Sequence, residues 1–208
     1  MLRGGFDLDN GESLSGVTPP AHPVSAVLLV GNAGPGLWSG FRHGPANGPD
    51  PLDQWCRNIL DACARTYGCS VVMPSDGPPW APFQSWALRA GRVYPSPIGL
   101  LIDPVWGLWH AYRGALLLPW HLDAPKAPPR PSPCAGCPER PCLDACPVGA
   151  FSRDGFDRHS CRAHLATPQG RHCVEGGCQA RGACPVGAGA RYPDGQVRFH
   201  MRAWIAGA

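Results

Sequence analysis

Lysine is almost missing from this chain: of 18 basic residues only Lys126 is a lysine. We read the bias as genomic base composition, although the planar arginine fork also suits phosphate or carboxylate. Long apolar runs are missing too. The longest, Val24 to Val30 and Ala115 to Trp120, fall far short of the ~20 residues that cross a bilayer. Met1 to Gly16 contains Arg3 but no apolar stretch of the roughly seven to fifteen residues that mark a secretory signal. These absences predict a soluble, cytoplasmic protein without a membrane partner.

Cysteine is sparse in the first two thirds and dense afterwards. Of 11 cysteines, Cys56, Cys63 and Cys69 lie upstream and eight fall between Cys134 and Cys184. In a reducing compartment such density means metal rather than disulfides, and an odd total agrees. The formal charge is +3. Eight thiolates around two dicationic cubanes would contribute about −4, so the basic excess balances clusters and does not imply nucleic-acid binding.

The chain divides by composition. Residues 1–20 are polar, Gly-rich and poor in apolar mass, as expected of a mobile leader or surface strap. Residues 21–122 predict an α+β domain, a mixed sheet with helices packed on it. Val24 to Val30 is a buried strand running into a loop at Gly31 to Trp38. Asp50-Pro51 opens a helix. Its apolar positions, Leu52, Trp55, Cys56, Ile59, Leu60, Cys63 and Tyr67, share one face, which makes Cys56 and Cys63 core fillers. Cys69 to Met73 is a strand, Phe83 to Arg89 a short helix, and Ile98 to Ile102 and Leu108 to Leu118 are two strands joined at Asp103-Pro104. Residues 123–133 form a stiff proline-rich connector. Residues 134–208 are the cysteine module, closing on Val197, Phe199 and Met201, whose alternation predicts a half-buried strand.

The first cysteine set is Cys134-x2-Cys137-x4-Cys142-x3-Cys146-Pro147, and the second is Cys161 followed by Cys173-x4-Cys178-x5-Cys184-Pro185. Closely spaced cysteines wrap three corners of a cubane, and a fourth beyond a helical turn reaches the neighbouring cluster, as in bacterial ferredoxins. Pro-Val-Gly-Ala follows both Cys146 and Cys184, a two-fold repeat that suits two [4Fe-4S] clusters in a ferredoxin-like module. Two zinc sites of four cysteines are the alternative, since Cys134-x2-Cys137 and Cys173-x4-Cys178 could serve as knuckles.

Cys134 to Ala150, together with Phe156-Asp-Arg-His-Ser-Cys161 and the final Cys-Pro, resembles the iron-sulfur module of epoxyqueuosine reductases and reductive dehalogenases. The resemblance implies Cys134, Cys137, Cys142 and Cys184 on one cluster, and Cys146, Cys161, Cys173 and Cys178 on the other. In the first half, Ile98 to Pro104, Gly107 to Pro119 and Asp50 to Gln54 resemble the cobalamin-processing CblC family, with its reduced nitroreductase-like sheet. That likeness implies a corrinoid, cobalamin, or alternatively FMN, as second cofactor, with Arg113 contributing to ligand binding and Trp109 and Tyr112 packing against a planar ring. Arg113 as a strand-end ion-pair residue and the aromatics as core are the plainer readings.

Asp103 and His110 are the candidate catalytic residues, Asp103 for proton delivery and His110 as cobalt ligand or proton donor, although Asp-Pro is first of all a turn. Gly31 to Gly36 lacks both the lysine of a phosphate loop and a dinucleotide spacing. The leading expectation is an oxidoreductase passing electrons through both clusters to a corrinoid, fed by a donor protein such as a ferredoxin, flavodoxin or reductase. Alternatives are an electron-transfer ferredoxin with an N-terminal docking domain, and a binding protein in which clusters are structural staples.

Overall fold

Branched aliphatics in an unbroken run favour a strand buried on both faces, and the run beginning near Val24 folds that way. The computed structural model describes residues 1–42, 48–123, 131–152 and 155–207. In chain order the elements are β1 (Leu2–Asp7), β2 (Ala26–Ala33), α1 (Gly36–Phe41), α2 (Pro51–Tyr67), β3 (Ser70–Val72), α3 (Phe83–Arg89), β4 (Tyr94–Pro95), β5 (Leu101–Ile102) and β6 (His110–Leu118). They continue with α4 (Pro141–Asp144), β7 (Phe151–Ser152), β8 (Gly155–Phe156), α5 (Arg158–Leu165), α6 (Arg171–Gly176), α7 (Gln179–Gly182) and α8 (Asp194–Ala206). Among the described residues no helix is long and apolar enough to cross a membrane.

The chain forms two units, residues 1–93 with 110–129, and residues 94–109 with 130–208. The second therefore takes a segment expected in the first. Most of the proline-rich connector, 124–130, lies outside the described residues.

In the first unit a four-stranded sheet has the order β1-β2-β6-β3. Each neighbouring pair is antiparallel, where a mixed sheet was expected. The β-loop-α-β order does leave β2 and β3 parallel, but β6 lies between them. Its apolar half, Ala115 to Leu118, is buried. α2 starts at Pro51 without a side-chain cap from Asp50 and ends at Gly68, whose φ of 64° supplies the left-handed C-cap. Leu52, Cys56, Leu60 and Ala64 form its buried stripe, one residue per turn. Ile59 and Tyr67, read as core from sequence, are exposed.

Two segments depart from the sequence expectation here. The supposed leader holds β1, paired with β2 from Leu2↔Val30 to Asp7↔Ala26. An edge strand needs few apolar residues when its partner supplies the buried face. Gly31 and Asn32 extend β2 rather than begin a loop, pairing with Tyr112 and Ala111 across a register shift after Val30. A Cβ on Gly31 would lie 2.0 Å from the Ala111 carbonyl oxygen, so only glycine lets the backbones approach there.

The second unit is built from short helices and the hairpins β4-β5 and β7-β8. One core gathers Ile98, Ile102, Leu108, Cys142 and Ala180, with Cys134, Cys146, Cys178 and Cys184 packed against it. Another joins Trp109, Ala190, Tyr192 and Val197. The closing segment is a helix, α8, not the strand predicted from alternation at Val197, Phe199 and Met201. Five residues of alternation also satisfy a three- or four-residue step. Val197 is the buried member, and Asp194 lies in the first turn, where the helix dipole favours an anion.

Candidate metal centre

Each cysteine of the second unit is positioned by a turn or a short helix. Cys137 N–H donates to the Cys134 carbonyl at 3.4 Å, which folds the first pair into a turn, and α4 carries Cys142. Cys146 follows, its Sγ accepting from Ala150 N–H at 3.3 Å. Asp157 caps α5 by accepting from Ser160 N–H, and that helix carries Cys161. Cys173 lies on α6, Cys178 caps α7 and Cys184 follows it. After Cys146 and Cys184 the repeated Pro-Val-Gly-Ala places Gly149 and Gly187 at φ of 57° and 70°. The sequence repeat is thus also a conformational one.

Burial pushes the Cys134 thiol up first, and then the neighbouring Cys184 and Cys137. Burial also raises Cys142, beside Cys184, Cys134 and Cys137, and Cys184, beside Cys137. In the second group burial leads again. Cys161 is further raised by Cys178 and Cys146, Cys173 by Cys178, Cys146 and Cys161, and Cys178 by Cys146. The raised thiols and the cysteines that act on them therefore fall into two sets of four, 134/137/142/184 and 146/161/173/178. Four crowded sulfurs disfavour anions until a cation joins them, which is the chemistry of a metal site. All eleven cysteines are free thiols.

Sequence reading missed two residues here. His172 Nε2 is 3.4 Å and His164 Nε2 3.8 Å from Cys173 Sγ. The available signal was His172 adjoining a cysteine and His164 three residues beyond Cys161 on one helix.

The first unit has its own concavity, a cavity of about 330 Å³ with Met1, Val30, Asn32, Trp55, Ile59 and Arg113 in its wall. Arg113 arrives there through the sheet: Tyr112 pairs with Gly31 and Gly114 with Val30, so Arg113 is the unpaired residue of a bulge. Its Nε donates to Asn32 Oδ1 at 3.0 Å, and an Nη lies 4.0 Å from Asp53. Cys56 also lines the cavity; burial pushes its thiol up and Arg113 opposes that.

The other residues singled out from sequence are not gathered at this cavity. Trp109 belongs to the second unit, edge-on to Tyr192 at 5.4 Å, with the Arg181 guanidinium 4.5 Å over its ring. Arg181 also donates to the Leu108 carbonyl. Trp109 is therefore part of the second unit's core. Tyr112 packs its edge against buried His110 at 5.9 Å. Asp103 acts as a turn residue, its Oδ1 accepting from Val105 and Trp106 N–H at 2.8 and 3.0 Å.

No family model matches the chain, and no curated protein matches it by sequence. Solved structures do. Epoxyqueuosine reductase from Bacillus subtilis superposes with a TM-score of 0.52 at 15% identity over 82% of this chain and 50% of that one. A second epoxyqueuosine reductase, crystallised with an epoxyqueuosine-modified tRNA-Tyr stem loop, gives 0.50 at 16% over 82% and 51%. The fold resembles epoxyqueuosine reductase. The chain spans about half the length of these reductases, and at such identities the likeness is one of fold. It agrees with the family resemblance of the cysteine segment; the likeness of the first unit to the CblC family has no counterpart among these reductases' names.

Proposed function

We propose that this protein is an iron-sulfur electron-transfer protein in which Cys134, Cys137, Cys142 and Cys184 hold one [4Fe-4S] cluster and Cys146, Cys161, Cys173 and Cys178 a second. The observation that carries the reading is the gathering of eight half-buried or buried cysteines in the second unit as two neighbouring fours. When bound, the clusters would supply one-electron chemistry at low potential. Ile98, Ile102 and Leu108 share a core with Cys142, and Cys134, Cys146, Cys178 and Cys184 pack against it, which gives these cysteines an apolar flank. Ala150 N–H donates to Cys146 Sγ and so orients that sulfur. The fold of epoxyqueuosine reductase supports a role as a redox enzyme component.

For the electron acceptor we propose a ligand at Arg113 in the first unit. Arg113 would bind its anionic or carbonyl edge, and Trp55 and Ile59 its apolar face. A cavity of about 330 Å³ suits ligands at the small end of the usual 300–1,000 Å³ range. A corrinoid, which the family resemblance implies, exceeds that range and would be held there by one edge; the ring system of FMN is the smaller comparator. Without Trp109 at the cavity, the plain electron carrier is the competing reading.

Metal analysis tests the first proposal. Anaerobically purified protein should contain about eight iron and eight sulfide per chain, with absorption that bleaches on dithionite. Stoichiometric zinc without iron would sink it. Titration with hydroxocobalamin and with FMN tests the second: an apparent Kd near micromolar, about −8 kcal/mol, is expected for one of them. Silence from both leaves the electron carrier standing.

A further inference from the structure

The two histidines beside Cys173 have no part in the scheme above. α5 and α6 are joined by a short 3-10 turn, Pro168–Gly170, with little room to vary. Thr167 Oγ1 donates to the His164 carbonyl at 2.7 Å, and a Cβ on Gly170 would lie 2.1 Å from that same oxygen. The turn thereby holds the His164 and His172 rings with centroids 5.9 Å apart. Their ligand atoms and Cys173 Sγ lie within 4.8 Å of one another. Cys173 is buried, His164 half-buried and His172 exposed, so the imidazoles are on the solvent side of the sulfur.

Tautomer then matters. His172 Nδ1 is 2.7 Å from the Gln169 carbonyl oxygen, which only accepts, so Nδ1 carries the proton. In the neutral ring Nε2 therefore bears a lone pair, and it faces Cys173 Sγ. A backbone carbonyl on the remote ring nitrogen is the usual support of a metal-ligating histidine, fixing both tautomer and ring orientation.

We propose that His172 is a second ligand for the iron that Cys173 binds, resting on the two-cluster reading above. The exchange is redox-neutral: the Fe–Sγ bond opens, the Nε2 lone pair forms an Fe–N bond, and the released thiolate takes a proton from water. His164, beside the same sulfur, packs edge-on against the His172 ring. Neutral imidazole in place of thiolate makes the cluster less negative and easier to reduce, the direction known for histidine-ligated iron-sulfur centres.

The test uses the anaerobic holoprotein and reads iron rather than activity. Cys173→Ala should keep about eight iron, and pulsed EPR of its reduced second cluster should show a nitrogen coupling absent from wild type. Its reduced-to-oxidised ratio at fixed potential should rise at least tenfold, which is 59 mV for a one-electron couple. Cys178→Ala and the double variant Cys173→Ala/His172→Ala should both fall short of eight. Cys173→Ala falling short like the double variant, or keeping its iron without nitrogen coupling, overturns the inference while the wild-type count upholds the clusters. A wild type without eight iron overturns the cluster reading and this inference with it. Should Cys173→Ala not fold, His172→Ala decides the matter: it should lose four iron to a chelator several-fold faster than wild type, and equal rates overturn the proposal.

Discussion

Held by Asn32 and near Asp53, Arg113 meets the cavity with its guanidinium already oriented, so little entropy is lost when a ligand docks. Arg113→Ala should weaken whichever of hydroxocobalamin or FMN binds by about 1–3 kcal/mol, the loss typical of a charge-assisted hydrogen bond, with iron content unchanged; isothermal titration measures it. Cys184→Ala should damage the cluster of Cys134, Cys137 and Cys142, whose thiols Cys184 adjoins, and leave the other cluster's EPR signal intact. Cys56→Ser should keep the iron content of wild type and lose about 1–3 kcal/mol in a denaturant titration, because the buried stripe of α2 would exchange a thiol for a more polar hydroxyl. The cysteine density was legible in the sequence, whereas the grouping came only with the family resemblance, since Cys184 is far along the chain from Cys134, Cys137 and Cys142. Trp109 and Arg113 could not be told apart: four residues separate them, yet one ring joins Tyr192 and the other side chain a bulge facing α2. Nothing in an aromatic strand pattern records which core each side chain enters.

Among elements, β1 shows how a polar segment is recruited. Arg89 of α3 donates to the Asp7 carbonyl at 2.9 Å, stacks 4.2 Å over the Phe6 ring and pairs with Glu12. The hydrogen bond from Arg89, then that from Asp9 N–H, holds the Glu12 carboxyl below the usual glutamate range. A depressed pKa stabilises the fold above the ordinary value and ceases to do so as pH falls through the folded one. The urea midpoint of wild type should therefore exceed that of Glu12→Gln at neutral pH, modestly since the pair is exposed, and the difference should vanish in acid. The helix α2 was legible because apolar periodicity and a proline at the first helical position are properties of nearby residues, although Asp50 makes no side-chain cap. β1 was not, because its stability comes from a strand 19 to 28 positions away. Nor was α8, whose short alternating run fits two periods at once.

At the scale of the whole molecule, the two units draw on different sources of stability. The first has a four-stranded sheet with Ala26, Val27, Leu29 and Leu117 fully enclosed. The second has short helices around a few aliphatics and its cysteines, so the proposed clusters, once bound, should contribute much of its folding free energy. Anaerobic removal of iron by a chelator should accelerate amide exchange in residues 131–207 and leave β2 and β6 protected; uniform loss of protection in both would contradict this. Because residues 94–109 belong to the second unit, the two are interleaved along the gene. During synthesis Ile98, Ile102 and Leu108 emerge well before Cys142 and Ala180, and Trp109 waits on the order of ten seconds for Tyr192 at usual elongation rates. The nascent chain therefore carries an unpartnered apolar segment that invites chaperones. A recombinant fragment cut at the connector would lack that segment altogether, so a workable ferredoxin-like piece has to be spliced from two stretches of coding sequence.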